Sequence, residues 1–335
     1  MSLVKLAIDF DSAYTNIFMK GSGLILSEPT VAAVEDSSNG QVKAVGLEAK
    51  KMIGKTSKNT KIVFPVFEGE IVNEPVAVEI LKRCLNKIEA NSSMLGVYAL
   101  FSVPCGVEPE TIEKYKRVAK KAGISKVDFI ENPILSALGQ QISLNESCPC
   151  FVIDIAGGVT NIAAVTIDGV ISGISVSFGG NKISTDIIDF VAEKYGMQIG
   201  FLTAEKIKKE IGSLDQMDSV SIVVNGRDID TGTPRAVSIR AMDIFSATKQ
   251  YFDKVIELVN TMLKKLSPEV SAEIKNSGIY ISGGDSCIYG IKEYFERRIG
   301  MNVNVAENGL YTVALGGGIV LGNKDVLKRV ALKVD

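Results

Sequence analysis

Asp9 and Asp154 each end an apolar run and open a turn of small residues that leads into Thr-Asn and a second apolar run. The two segments are LAIDFDSAYTNIF from Leu6 and FVIDIAGGVTNIAAV from Phe151. A carboxylate at such a strand end can hold a hydrated Mg²⁺, and the turn's backbone N–H groups can face an anion. The copies lie about 145 residues apart, too far for a solenoid repeat. Facing each other, they would place two carboxylates and two sets of N–H groups around one polyphosphate. Taken singly, a strand-end aspartate is more often a turn cap, and it is the repetition that favours the metal reading. A third glycine-bearing segment, GIYISGGDSCIYGIKEYF from Gly278, adds another strand and turn.

These residues need strands to carry them and helices to back the strands. Strand signals at 3–10, 17–20, 24–26 and 31–34 are separated by turn residues, as in a meander of hairpins. Helical spacing follows at 76–88, a buried strand at 96–103, an amphipathic helix at 109–122, a strand at 127–130 and a proline-started helix at 133–141. Strands alternating with helices indicate an α/β lobe with a mixed sheet. The strand-rich unit restarts at Phe151, which sets the lobe boundary near 144–150. Beyond it come a strand at 170–178, helices at 183–195 and 203–211, and paired strands at 219–224 and 235–239 around the turn NGRDIDTGTP. A long helix at 242–266 and a strand at 278–282 complete the reading.

At 335 residues the chain exceeds the roughly 250–300 residues of a single core, so two lobes are expected. The formal charge of −2 argues against direct nucleic-acid binding, and no run of 18 apolar residues offers a membrane span. The five scattered cysteines and an N-terminus without a signal-peptide pattern point to reduced thiols in the cytoplasm. Cys148-Pro149-Cys150 has no second cysteine pair to complete a metal site and reads as a loop before a strand. With no histidine in the chain, histidine-based triads and the common zinc sites are excluded, leaving carboxylates, lysines, backbone dipoles or a metal for any catalysis.

Six motifs in order make the chain resemble the actin and DnaK-type ATPase superfamily, and within it the bacterial actins of the MreB type. IDFDSAYTN resembles the first phosphate loop, FSVPCG the connecting strand, FIENPILSALG the start of the catalytic helix and VIDIAGGVTNIA the second phosphate loop. LTAEKIKKEIG resembles the ribose- and base-binding helix and ISGGDS the adenosine loop, while NGRDIDTGTPRAV and VALGGGIVLGNKDVLKRV are closest to MreB. The resemblance implies an actin-like α/β fold of two related lobes, each with a mixed five-stranded sheet flanked by helices and each carrying a smaller subdomain, with nucleotide in the interlobe cleft. Lobe I would be 1–144, with subdomain IB at about 31–72. Lobe II would be 145–335, with subdomain IIB at about 181–241 and a C-terminal helix, 316–335, returning to lobe I.

It also implies residue roles. Asp11, Ser12, Ala13 and Tyr14, with Gly157, Gly158, Val159 and Thr160, would grip the phosphates. Asp9 and Asp154 would hold Mg²⁺ mainly through water. Glu131 would orient the attacking water, with Asp154 as the other catalytic residue. Glu205 and Lys208 would reach ribose and base, and Gly283, Gly284 and Asp285 would face the adenosine. The residues alone leave other readings open. Glu205 and Lys208 also fit a solvated helix face, Glu131 a helix N-terminal acid, and Gly316–Gly318 close helix packing. The chain departs from the pattern at Asp11, where glycine is expected and a carboxylate would repel phosphate. It departs again at Ala156, Val159 and Asn161, which makes binding of nucleotide the firmer expectation and fast hydrolysis the weaker one.

The function so implied is an ATP-dependent filament protein, with GTP as the alternative nucleotide, that assembles with copies of itself and regulates the polymer by hydrolysis. A cell-shape role would bring it to the inner membrane surface, for which Met94-Leu95 offers an apolar pair, although a turn packed on its own strand fits as well. A plasmid-partition role would reach DNA only through an adaptor protein. A small-molecule kinase would need a substrate pocket and base that the sequence does not place, and a DnaK-like chaperone a further domain after Lys328.

Overall fold

The computed structural model describes residues 3–37, 40–90, 95–142, 144 and 148–333. Val97–Val103, Cys150–Ile155 and Thr160–Thr166 are buried at every position rather than at alternate ones. Such strands need cover on both faces. Val4–Phe10 pairs antiparallel with Tyr14–Met19, which pairs antiparallel with Gly23–Pro29. On its other side it runs parallel to Val97–Val103, and that strand parallel to Lys126–Glu131. The second sheet repeats this order. Cys150–Ile155 is antiparallel to Thr160–Thr166, and that strand to Gly169–Val176. Its other edge is parallel to Ile279–Ser282, which is parallel to Val303–Val305. Each lobe therefore holds a mixed five-stranded sheet built on the same plan.

Each sheet has its own apolar core, and a third core lies between the sheets. That third core joins Ala7 and Leu100 of the first to Val152 and Ala163 of the second through Ile134, Leu135, Val313 and Val320. Two helices supply its middle layer, Asn132–Gly139 and Thr312–Gly322. They meet backbone to backbone: a Cβ at Gly139 would collide with the carbonyl oxygen of Thr312, and one at Gly316 with that of Leu135. Gly317 lies on Ala7 and Gly318 on the ring of Phe18. Close packing thus accounts for the run Gly316–Gly318.

The structure alters several sequence expectations. Ala32–Glu35 leaves the first meander and joins Val42–Val45 and Thr60–Val63 in a separate sheet. The expected turn NGRDIDTGTP is half strand, because Ser221–Asp228 and Pro234–Arg240 pair from Ser221 to Arg227 and leave a short tip, where Asp228 accepts hydrogen bonds from Thr231. The expected C-terminal helix is two helices, Thr312–Gly322 and Lys324–Val330. Between them the Asn323 side chain accepts from the backbone N–H groups of Asp325 and Val326, restarting the helix. The helices Gly46–Met52, Pro268–Ser277 and Ile291–Ile299 were not read from the sequence.

The glycine crossing gives a stability test. Gly316→Ala should destabilise by about 1–3 kcal/mol, since the Leu135 carbonyl must retreat. Gly322→Ala, in the same helix with nothing within 4 Å of its added Cβ, should be neutral or slightly stabilising. Thermal melts of the two variants check this, and equal melting temperatures would remove the crossing as a constraint.

Candidate functional site

The two hairpins place Asp9 opposite Asn16 and Asp154 opposite Asn161. Asn16 Nδ2 donates to Asp9 Oδ2 at 3.2 Å, and Asn161 Nδ2 donates to Asp154 Oδ2 at 3.2 Å. A serine from the neighbouring parallel strand satisfies each second oxygen: Ser102 Oγ donates to Asp9 Oδ1 at 2.8 Å and Ser282 Oγ to Asp154 Oδ1 at 3.1 Å. The turns match as well, with the Asp11 N–H bonded to Tyr14 O at 3.1 Å and the Ala156 N–H to Val159 O at 3.0 Å. The sequence repeat is thus a repeat of chemistry, an Asp–Asn–Ser set on each lobe. The serines escaped the sequence reading because no local pattern joins residues about 90 to 130 positions apart, whereas each asparagine lies seven positions from its aspartate and takes its pairing role from the hairpin register.

Both carboxylates face one interlobe cleft. Burial, then the nearby Asp11, raises Asp9 from 3.8 to about 7, with Asp154 adding a smaller push and the Ser102 and Asn16 hydrogen bonds opposing. Burial raises Asp154 to about 6. Burial also raises Asp11, against the backbone hydrogen bonds it receives. Three mutually repelling carboxylates at the floor of a cleft call for a cation.

Of the residues expected at the site, Asp9, Asp11, Ala13, Tyr14, Asp154, Gly157, Glu205, Lys208, Gly283, Gly284 and Asp285 line this cleft. At its mouth Glu205 forms a 2.7 Å ion pair with Lys50 from the helix Gly46–Met52, and the ammonium groups of Lys50 and Lys209 both stand over the Tyr14 ring. Lys208 pairs with Asp285 at 2.7 Å and donates to Gly180 O at 2.8 Å. Glu205 and Lys208 are therefore inward-facing, which excludes the solvated-face reading. Gly283 has φ +92°, and a Cβ there would strike the Ile155 carbonyl, so glycine is required by the turn itself. Gly157 and Gly158 pack against Ala13 and Ser12 of the opposite loop.

Ser12, Gly158, Val159, Thr160 and Glu131 do not line the cleft. Ser12 is buried against Gly158 with its Oγ unpartnered, and Val159 is buried at the loop base. Thr160 turns inward, its hydroxyl hydrogen-bonded with Phe178 O at 2.8 Å and with the Tyr251 hydroxyl at 2.7 Å. The Glu131 carboxylate accepts from the Gly106 N–H at 2.7 Å and stands beside Cys105, whose thiol is pushed up to about 12 by burial and then by Glu131. The neighbouring residue faces the cleft instead. Asn132 is 6% exposed, and its Oδ1 has no partner. One position decides this, because Glu131 ends a strand and Asn132 begins a helix, so their side chains diverge. Asn161 is held away from such a role, its Oδ1 accepting from the Cys105 N–H at 3.0 Å.

The carboxylates give the nucleotide-free protein a pH dependence. With pKa values raised on folding, the native state keeps protons that the unfolded chain releases above 3.8, so stability falls as pH rises toward about 7. The chain has no histidine to mask this window. Melting temperature should drop between pH 5.5 and 8, and Asp9→Asn should flatten the slope. A rising profile would contradict the burial of these groups as ionisable acids.

The family model described as MreB/Mbl protein matches residues 3–329. The cell shape-determining protein MreB of Escherichia coli strain K12 is 33% identical over 321 residues, covering 94% of this chain and 92% of that one. The cell shape-determining protein Mbl of Bacillus subtilis strain 168 is 29% identical over 325 residues, covering 97% of each. Among solved structures, MreB 5 of Spiroplasma citri bound to AMPPNP is 28% identical and superposes with a TM-score of 0.91 over 98% of both chains. A MamK double helical filament, at 17% identity, TM-score 0.82 and coverage of 96% of this chain and 99% of that one, shares the fold.

Proposed function

The chain belongs to the MreB/Mbl family, and from that premise we propose that it is a nucleotide-dependent, filament-forming actin-like protein of the cell-shape type. The observation that carries this reading is the duplicated Asp–Asn–Ser set facing one cleft. We take ATP as the ligand, with GTP as the alternative, since the similar MreB 5 protein has been seen with AMPPNP and with ADP. The phosphates would lie between the turns 11–14 and 157–160, and the nucleoside end near Glu205, Lys208, Gly283, Gly284 and Asp285. We divide the lobes at 144/145, in keeping with the repeated sheets.

The donors at the cleft floor suit Mg²⁺, a hard cation that takes oxygen ligands and keeps much of its water. Asp9 and Asp154 supply carboxylates, and Asn132 Oδ1 is an acceptor in want of a donor, such as a metal-bound water. Among the described residues no group of three acidic, cysteine or histidine side chains is arranged to bind a metal directly. Bound there, the ion would neutralise phosphate charge and draw the lobes together.

For hydrolysis, we assign the water-positioning role to Asn132 rather than to the expected Glu131, because Asn132 is the one of the two that lines the cleft. An amide orients water but takes no proton near neutral pH, so turnover should be slow. Asn132→Ala should lower phosphate release about tenfold or more, the scale of lost positioning, while Glu131→Ala stays within about threefold. A strong loss in Glu131→Ala alone would return the role to that carboxylate.

We take assembly to follow from the angle between the lobes. Nucleotide that draws the lobes together changes the fit of one copy to the next, and a head-to-tail contact that does not close makes a filament. No helix among the described residues is long and apolar enough to cross a membrane. Leu95 is 60% exposed, and its partner in the apolar pair, Met94, lies outside the described residues. Two such side chains bind lipid too weakly for a monomer, whereas a polymer gains avidity. The relatives named above are cell-shape proteins and lend nothing to the partition, kinase or chaperone alternatives. Pelleting and negative-stain microscopy with ATP, ADP and no nucleotide should show ATP-dependent polymers, and these should float with liposomes unless Met94 and Leu95 are both serine. A chain that stays monomeric at high concentration in every state would sink the filament reading.

A further inference from the structure

The two phosphate loops are matched in backbone but not in side chain. Asp11 and Ala156 hold equivalent turn positions, each bonding its N–H to the carbonyl three residues on. Only Asp11 has a side chain that can cross to the other lobe. Its Oδ2 accepts from the Gly157 N–H of the second loop at 2.9 Å and from the Ala13 N–H of its own loop at 3.4 Å, and the Ser12 N–H adds a further hydrogen bond to the carboxylate. Backbone donors from both lobes thus converge on one carboxylate. Such convergence makes an anion-binding nest.

Among the described residues no lysine or arginine is ion-paired with Asp11. Of the basic groups at the cleft, Lys50 pairs with Glu205 and Lys208 with Asp285, while Lys209 stands over the Tyr14 ring. The acidic groups that act on Asp11 or are acted on by it come from three elements, Asp9 on the first central strand, Asp154 on the second and Asp285 beyond the glycine turn. Asp11 is therefore held among like charges by backbone dipoles alone. Gly157 leaves it room, since a Cβ there would stand 2.9 Å from Oδ2.

Resting on the nucleotide reading above, we propose that Asp11 occupies the subsite of the distal phosphate and so sets the chain's discrimination between nucleoside diphosphates and triphosphates. With the nucleoside end at Lys208 and Asp285, the phosphate chain runs toward the nest between the loops, and its last group is the one that reaches both. A diphosphate stops short and binds with Asp11 in place. A triphosphate must displace the carboxylate, because the Gly157 N–H cannot serve two adjacent anions without strong repulsion. Displacement also breaks a direct hydrogen bond between the lobes. The triphosphate thereby exchanges an internal lobe contact for one of its own, and this chain distinguishes the two nucleotides by a residue rather than by contacts to the nucleotide alone.

Calorimetric titration of ATP and ADP, with Mg²⁺, into wild type, Asp11→Ala and Asp11→Asn tests this. Asp11→Ala should tighten ATP about tenfold while ADP shifts less than about threefold, and Asp11→Asn, isosteric but uncharged, should move the same way by less. Circular dichroism confirms that each variant is folded. Equal shifts for the two nucleotides, or weaker ATP binding in both variants, would overturn the proposal while leaving the nucleotide reading intact. Folded wild type and variants that bind neither nucleotide would reject both.

Discussion

A carboxylate buried at the end of a central strand is costly unless its oxygens are satisfied, and this fold buries two. Register solves the problem once per lobe. The hairpin sets an asparagine opposite the aspartate, and the parallel neighbour brings a serine to the second oxygen. Neither partner carries charge, so each carboxylate stays poorly stabilised as an anion and is pushed toward neutral pH. The two sets open onto the same cleft, and their residual demand is for a cation. What the site binds follows from hydrogen bonds that satisfy the acids without neutralising them.

The lobes that carry these sets are joined at their backs by helices whose backbones touch, and at their fronts by charged contacts. Gly139 and Gly316 make the rear contact rigid in distance. At the front, the Lys50–Glu205 pair and the Asp11–Gly157 hydrogen bond cross from one lobe to the other at the cleft. The front is thus made of polar contacts that a charged ligand can replace, whereas the rear is packed backbone that it cannot. On the proposed function, this build would let a ligand change the lobe angle, which is the quantity a polymer of stacked copies would read.

Much of this was legible in the chain. The repeated Asp-turn-Thr-Asn pattern announced two related hairpins facing one ligand, and the apolar runs announced buried strands. Glu131 was expected in the cleft, but its neighbour Asn132 lines it instead, because a strand-to-helix junction falls between them and no sequence pattern says which of them turns toward the cleft. Thr160 was expected to bind nucleotide, but the alternation of a strand points it inward to Tyr251. Lys50 could not be found, since it reaches Glu205 from a short helix that the pattern did not mark and from 155 positions away in sequence. Asp11 was visible as a departure, but its acceptance of a hydrogen bond from the opposite loop is a fact of three dimensions.

On the proposed function, Asp9 and Asp154 act as a pair that would make nucleotide binding depend on a divalent cation. The most direct test is the ratio of ATP affinity measured with Mg²⁺ to that measured in EDTA, for wild type, Asp9→Asn and Asp154→Asn. A large ratio is expected in wild type, falling toward unity in each variant alone, because both lobes' carboxylates are needed. Equal affinities with and without Mg²⁺ in wild type, or a ratio untouched by both substitutions, would contradict it.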